Sequence, residues 1–470
     1  EKMRKILVAL FVLGIVVALS APASAVDVKI SGQYYVVGAF ESNPSLRTED
    51  GRNQLTTQSG RASSAAWVAQ RLRLQPEFKI AEGLTLTTRF DALEKKWGDV
   101  SWGQNGIYTY DNTNRPVDRT AANLTNPLTT GANIRTQENI EWERAYVDFN
   151  TAIGRFLVGY FNTIYYGTDF LNSSWSRPGV EYMYPMGPWS FGARWEHAAE
   201  GGSYGIAGGA RLVYAEADFD VYSVMTDYRW KTGAAGMQVQ YYHDSYNDYD
   251  RGGFIRKMYT FNPYARATFG PLFIEAEGWY GTGDWQDFRG ATTDVDLKAW
   301  AAYVNAKYTM GPWYVGGLFS YESGDDPTTL DKREGSVMQT LFLGKNYDAF
   351  LLMFNNAINT WTGTWAGYNG ASINTFEDNC LLWKAYAGWN VTPKLRVEAG
   401  YGMAKADESA FVDKDYGSEF DIYATYKIYD NLSYMVGFGY WWVGDYFKGT
   451  SSSNVIDDNY LVMHKLTLSF

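Results

Sequence analysis

The chain carries few residues of the kind that make and break bonds. Among its 470 residues are three histidines, His197, His243 and His464, and one cysteine, Cys380. Nucleophilic or acid–base catalysis needs an imidazole beside a hydroxyl or carboxyl group. His197 follows Glu196 and His243 precedes Asp244, but neither stands in a nucleophile motif, and His464 falls inside the last strand-like run. A lone cysteine excludes an internal disulfide and every Cys-rich metal or haem site. The acidic run Asp244-Ser-Tyr-Asn-Asp-Tyr-Asp250 lacks the ligand spacing of a calcium loop and reads as a solvated loop. Gly281-Thr-Gly-Asp284 has no strand–helix context for binding phosphate. No catalytic residue, metal or cofactor is therefore expected. What remains is a set of arginines, Arg71, Arg73, Arg89 and Arg144, on polar positions of strand-like runs. Their chemistry is electrostatic: fixed guanidinium charges attract anionic and polar groups. Each could equally pair with an acid on a neighbouring strand.

The elements that position these arginines show a period of two. Leu72, Leu74, Pro76, Phe78 and Ile80 form one row, and Arg71, Arg73, Gln75, Glu77 and Lys79 the other. After Ala81-Glu82-Gly83, Leu84, Leu86 and Phe90 continue the apolar row while Thr85, Thr87, Arg89 and Asp91 stay polar. The alternation predicts a hairpin with one apolar and one polar face: core and solvent in a soluble sheet, lipid and lumen in a barrel. It recurs at Arg144 to Phe149, Lys394 to Tyr401, Phe420 to Ile428 and Leu432 to Tyr440. The chain ends within such a strand: Tyr460, Val462, His464, Leu466, Leu468 and Phe470 form the mainly apolar row, and Lys465, Thr467 and Ser469 lie on the other.

Composition agrees with a membrane barrel. Aromatic residues make up 17%, with 37 Tyr and 18 Trp, yet mean hydropathy is −0.32. Two interfacial belts require that many rings. At the start, Met3-Arg-Lys5, the apolar run Ile6 to Leu19 and the small-residue site Ala23-Ser24-Ala25 read as a secretory signal peptide over 1–25. Residues 26–470 then form a single β-barrel domain with 38 basic and 51 acidic residues. That acidic balance argues against nucleic acid as a partner.

Gly-Pro punctuates the chain at Met186-Gly-Pro-Trp189, Phe269-Gly-Pro-Leu272 and Met310-Gly-Pro-Trp313, the signature of tight turns. With Thr392-Pro-Lys394 and Asp430-Asn431, these are assigned to the periplasmic side. Longer polar stretches are expected at the opposite end: Glu41 to Ala65, Glu94 to Gln137, Gly281 to Asp294, Glu322 to Glu334, Gly363 to Asn379 and Gly444 to Asp457. With both termini on the turn side, the strand number is even, within 16 to 20 and in the upper half of that range. Glu200 to Asp220 is either a strand or a hairpin within a loop.

The closing strand, ending on Phe470, resembles the terminal signal of bacterial outer-membrane barrel proteins. Leu466, Leu468 and Phe470 would be read by the barrel-assembly machinery, and lipid and lipopolysaccharide would surround the product. Glu143-Arg-Ala-Tyr-Val-Asp-Phe-Asn-Thr-Ala-Ile-Gly-Arg-Phe-Leu-Val-Gly-Tyr160 is similar to the fourth and fifth strands of Gram-negative general porins. The resemblance implies a homotrimer admitting small hydrophilic solutes, with a third loop, about Tyr165 to Gly179, folded into the lumen. Arg71, Arg73, Arg89 and Arg144 would form the basic wall. Tyr165, Tyr166, Asp169, Phe170, Trp175 and Glu181 would form or follow the constriction loop, where aromatic residues replace the family's acidic, Gly-rich motif. A channel selective for sugars or oxyanions, or a sheath for a partner such as a cytochrome, are the alternatives.

Overall fold

The computed structural model describes residues 26–47, 64–97, 140–173, 175–200, 218–246, 253–288, 293–336, 347–355, 365–373 and 378–470, with a few short pieces between them. The expected signal peptide lies outside the described residues. Eighteen antiparallel strands form one sheet closed on itself. The first six are β1 Asp27–Glu41, β2 Ala65–Ala81, β3 Leu84–Lys96, β4 Ile140–Thr151, β5 Gly154–Asn162 and β6 Ser176–Met186. Next come β7 Trp189–Ala199, β8 Phe219–Trp230, β9 Gly233–Asp244, β10 Phe254–Phe269, β11 Leu272–Phe288 and β12 Val295–Met310. The last six are β13 Trp313–Glu322, β14 Cys380–Asn390, β15 Leu395–Lys405, β16 Asp415–Tyr429, β17 Leu432–Val443 and β18 Asn459–Ser469. Strands pair with their sequence neighbours, and β1 meets β18 from Gln33↔Ser469 to Glu41↔Leu461. Closure leaves no edge strand exposed.

The Gly-Pro sites form two-residue turns. Gly187, Gly270 and Gly311 have φ of 60°, 59° and 60°, and the following proline fixes a negative φ. That combination is the type II′ turn, whose twist matches the strands it joins. The carbonyls of Pro188, Pro271 and Pro312 then accept backbone N–H groups of Arg229, Thr309 and Asn390 at 2.8, 2.9 and 2.8 Å. The short turns, the start of β1 and the end of β18 share one end, while the long connections share the other.

Outward rows are apolar and carry two aromatic belts. Trp313–Trp389 and Trp189–Tyr228 meet at 4.6 and 4.7 Å near the turns. Trp300–Tyr321 and Tyr440–Trp442 meet at 4.3 and 4.8 Å near the loops. Between the belts lie exposed aliphatic residues such as Val224, Val304 and Val436.

Several expectations need correcting. The stretch 281–288 belongs to β11, which runs to Phe288, so only a short connection precedes β12. The polar stretches at 322–334 and 363–379 mark the two ends of one long connection, 323–379, between β13 and β14. The described residues 347–355 of this connection are too apolar to sit in water and fold into the lumen. Between the two readings left open for 200–220, the hairpin within a loop is the one found: Gly205–Ala207 pairs with Ala210–Leu212.

The lumen is also less polar than the alternation predicted, because two loops pack inside it. The third loop, 163–175, lays Ile164, Phe170 and Leu171 against Val221, Tyr242, Met258, Trp279 and Leu297 of β8–β12. The seventh loop, 323–379, packs Phe350, Leu352, Met353, Phe354 and Trp365 with Val37 of β1, Leu382 of β14, Trp441 of β17 and Met463 of β18. Many inward positions facing an infolded loop are apolar for the same reason as any protein core, and the buried polar ones, such as Glu277 and Glu419, are hydrogen-bonded. Inward positions left open to water keep their charges.

Candidate functional site

The charged part of the lumen lies on β2–β4. On β2 the alternation points Arg71 and Arg73 inward. Arg73 faces Asp91 across the β2–β3 ladder, and its Nε and Nη2 donate to the two carboxylate oxygens at 2.7 and 2.6 Å. Arg71 lies 3.8 Å from Asp91 and 3.5 Å from Glu94. On the next pair the opposing residues have like charge: Arg89 of β3 stands directly across from Arg144 of β4. Such pairs are unfavourable. Glu143 offsets the repulsion in part, at 3.7 Å from Arg89, and Arg144 donates to Ser176 Oγ at 3.3 Å.

All four arginines line one cavity of about 840 Å³. Lys384, Arg396 and Lys465 of β14, β15 and β18 line the same cavity. Tyr35 of β1 lies between two cations, with Arg71 at 5.0 Å and Lys465 at 4.8 Å from its ring centre. The described lining holds seven basic side chains and three acidic ones, Glu94, Asp348 and Asp421. Of the acids, Asp421 is paired with Lys384 at 3.3 Å and Glu94 lies against Arg71. The lining is thus basic at its waist.

The two infolded loops bound this cavity, and each is held by a glutamate of the barrel wall. Glu277 of β11 accepts the N–H and hydroxyl of Thr168 at 3.0 and 2.5 Å, and the side-chain amide of Asn262 at 3.0 Å. Gly167 permits this approach: its φ is 89°, and a Cβ there would lie 1.8 Å from Glu277 Oε1. Glu419 of β16 accepts the N–H groups of Leu352 and Met353 at 2.7 and 2.8 Å. Lys384 adds a bond to the Ala349 carbonyl at 2.7 Å. The seventh loop is further fixed by Trp365, whose indole N–H donates to Glu41 of β1.

The loop residues singled out in the sequence divide into groups. Tyr165 lines the cavity, and its hydroxyl donates to Glu181. Burial and then the Glu181 carboxylate push that hydroxyl far above the usual tyrosine range, so it stays a neutral donor. Tyr166 bonds the Thr226 carbonyl at 2.8 Å, and Phe170 stacks on Tyr303 at 4.9 Å. Both therefore pack the loop to the wall. Trp175 is half exposed at the end of the loop, before β6. Three expectations are corrected. The loop ends at Trp175, because Ser176–Gly179 already pair in β6 with β5. Asp169 is exposed and absent from the cavity lining. Glu181 is a buried wall residue of β6, bonded to Arg194 at 3.1 Å, which in turn bonds Glu196 at 2.8 Å.

Sequence reasoning missed the seventh loop, which supplies Asp348, Phe350 and Trp361 to the cavity. The available signal was the apolar run Ala349-Phe-Leu-Leu-Met-Phe354 amid polar residues. His197 has both ring nitrogens against carboxylates, Nδ1 to Asp220 at 2.9 Å and Nε2 to Glu200 at 2.8 Å. Neither nitrogen is free to activate a nucleophile. Asp244 is paired with Arg256 at 3.0 Å, and residues 247–250 of that acidic run lie outside the described residues.

A closed, even-numbered barrel with an apolar exterior and two aromatic belts is the architecture of bacterial outer-membrane proteins. The protein spans the bacterial outer membrane. Its fold matches Acinetobacter baumannii OccAB3 with TM-score 0.51 and 8% identity, covering 94% of this chain and 99% of that one. Acinetobacter baumannii OccAB1 matches with TM-score 0.50 and 10% identity, over 94% and 97% of the two chains. OmpT, an outer membrane protein of Vibrio cholerae, aligns over 96% of this chain and 99% of its own, with TM-score 0.38 and 13% identity. No protein-family model matches the chain, and neither does any curated protein. At these identities the likeness is one of fold, that of an outer-membrane porin-like barrel.

Proposed function

We propose that the protein is a passive channel for small hydrophilic solutes that favours those carrying an oxyanion, and not an enzyme. The observation that carries this reading is the basic lining: Arg89 and Arg144 face each other at the waist, and Arg396 and Lys465 line the same cavity. In a narrow, partly desolvated lumen such charges act over short range and are screened less than charges on exposed loops. Guanidinium groups also match carboxylate and phosphate geometry. The 51 acidic residues expected in the mature chain oppose this selectivity at the mouths, where salt weakens them.

The test is the reversal potential of single channels in a planar bilayer with a tenfold salt gradient. Anion preference that strengthens as total salt rises is the expected result. Cation preference at high salt would remove the basic waist as the selectivity element. A saturable current block by a small carboxylate, absent with a neutral sugar of similar size, would favour oxyanions over sugars.

A homotrimer is part of the same proposal. On the outer face of β1, β2 and β18, a groove of about 550 Å³ is lined by Gly38, Ala66, Val68 and His464, polar His464 standing within an otherwise apolar row. A neighbouring copy covering it would shield that imidazole from lipid.

A further inference from the structure

The outer face of β7–β10 turns from aromatic to polar in one step at the loop end. Trp195, Tyr222, Tyr241 and Tyr259 stand side by side across the four strands, and the next outward row reads His197, Asp220, His243 and Lys257. Just there the ladder between β7 and β8 slips. Asp220 pairs with His197 but Phe219 pairs with Ala199, so Ala198 is an extra residue. A bulge of this kind re-aims the side chains beyond it. In an unbroken strand Glu200, three residues after His197, would point to the opposite face. The extra residue returns it to the outer face, where its Oε2 lies 2.8 Å from His197 Nε2. Asp218 precedes Asp220 by two and joins the same group. One carboxylate oxygen each of Glu200 and Asp218 and one ring nitrogen of His197 lie within 4.8 Å of one another.

Asp220 fixes the imidazole from behind. Its Oδ1 accepts from His197 Nδ1 at 2.9 Å and from the Trp195 indole N–H at 2.9 Å. An ionised carboxylate has no proton to give, so Nδ1 carries the hydrogen and Nε2 is left for a proton or a metal ion. A carboxylate on the far nitrogen is the usual support of a metal-ligating histidine, setting its tautomer and raising its basicity. Among the described residues Glu200 and Asp220 pair with no lysine or arginine, and Lys257, at the end of the polar row, is paired with Asp287 of β11 at 3.2 Å. The cluster therefore keeps its negative charge.

We propose that His197 Nε2, Glu200 and Asp218 hold one divalent first-row transition ion, Zn²⁺ or its like, with water completing its shell. Bonds of about 2.0–2.2 Å to a tetrahedral ion set ligand atoms roughly 3.3–3.5 Å apart. Glu200 must then move outward by about half an ångström from its present contact with Nε2, and its side chain, 75% exposed, has room to do so. The imidazole selects zinc, copper or nickel over calcium and magnesium, which take oxygen ligands. The ion joins the end of β7 to the start of β8. The spacing His197–Glu200 did not reveal the site because strand parity puts the two on opposite faces, and only the bulge at Ala198 reunites them.

The test is equilibrium dialysis of the full chain, folded in detergent and stripped with a chelator, against zinc chloride, with bound metal counted by atomic absorption. One Zn²⁺ per barrel is expected, held at least tenfold more weakly by His197→Gln and by Glu200→Gln. Asp220→Asn, which touches no metal, should weaken binding about tenfold through the ring it orients. Heat-modifiable gel mobility reports whether each variant keeps its barrel, and exposed Glu200 is the substitution that disturbs it least. Cu²⁺ bound in place of zinc should show an imidazole nitrogen in its electron paramagnetic resonance spectrum, lost in His197→Gln. His243, on the far side of Asp220 and outside the cluster, should be replaceable by glutamine without changing either readout. No zinc bound by the parent would mean that His197 is an imidazolium paired with carboxylates and nothing more. Displacement of zinc by an equal concentration of Mg²⁺ would mean attraction to acidic groups alone, and equal loss in His243→Gln would mean scattered binding to surface histidines. Each of these results overturns the proposal.

Discussion

Arg144 and Arg73 are both inward arginines, yet reversing them should have different consequences. Arg73 is held by two short bonds to Asp91, so Arg73→Glu would place two carboxylates opposite each other on paired strands. Among the described residues Arg144 makes one hydrogen bond, to the Ser176 hydroxyl at 3.3 Å, and it stands opposite another arginine. Arg144→Glu therefore relieves a like-charge pair while changing the lining by two charges. It should fold as well as the parent and shift the reversal potential toward cations, several-fold in permeability ratio. Arg73→Glu should instead lower the yield of folded barrel, read as the fraction showing heat-modifiable gel mobility. An unshifted reversal potential for Arg144→Glu would remove it from the conducting path. The inward direction of these side chains was legible in the sequence, because alternation within a strand fixes it. Their partners were not legible, since cross-strand register depends on bulges such as the one between Arg89 and Phe90. The acid expected at Asp169 failed for a related reason: position within an irregular loop carries no period that tells in from out.

Two elements, the third and seventh loops, turn a wide barrel into a narrow channel. Each rests on one wall glutamate that accepts backbone N–H groups, in the way a capping side chain satisfies a helix end. Replacing Glu419 with alanine would leave the Leu352 and Met353 amides without their acceptor, at a cost of roughly 1–3 kcal/mol for each buried group left unpaired. The apolar packing of Phe354 and Trp365 opposes release. Partial detachment is therefore expected: current noise and protease cleavage within 323–379, in a barrel that otherwise stays intact. For the third loop, Gly167→Ala drives a methyl group into Glu277 and should give the same noise with larger unit conductance. If both variants conduct as quietly as the parent, the tethers do not hold the loops. Of these elements the sequence revealed the third loop, through its position after a strand pair resembling porins. The seventh was hidden because its apolar core has the composition of a strand and only its lumen partners show otherwise.

At the scale of the whole molecule, everything depends on closure between the first and last strands, which lie more than four hundred residues apart in sequence. The seam runs over nine residue pairs and ends at the C-terminus, where Gly32 N donates to the Phe470 carbonyl at 2.8 Å and Phe470 N donates to the Gly32 carbonyl at 3.0 Å. The Phe470 ring lies over Gly32, where an added Cβ would come within 2.8 Å of its Cζ. Phe470 as a whole remains 51% exposed. Full burial of a phenylalanine is worth about 1.5–3 kcal/mol, so a ring half covered by protein contributes on the order of 1 kcal/mol to the closed barrel. That is small beside the backbone bonds, which Phe470→Ala leaves in place. If Leu466, Leu468 and Phe470 also serve as the signal read during assembly, the two roles separate. Phe470→Ala should refold into lipid vesicles with stability within about 1–2 kcal/mol of the parent. In cells, the amount of folded barrel in the outer membrane should fall severalfold. The surviving channels should keep the parental conductance, because the ring points away from the lumen. Equal losses in both settings would mean that Phe470 acts only by closing the seam, and equal success in both would mean that the terminal residue is dispensable.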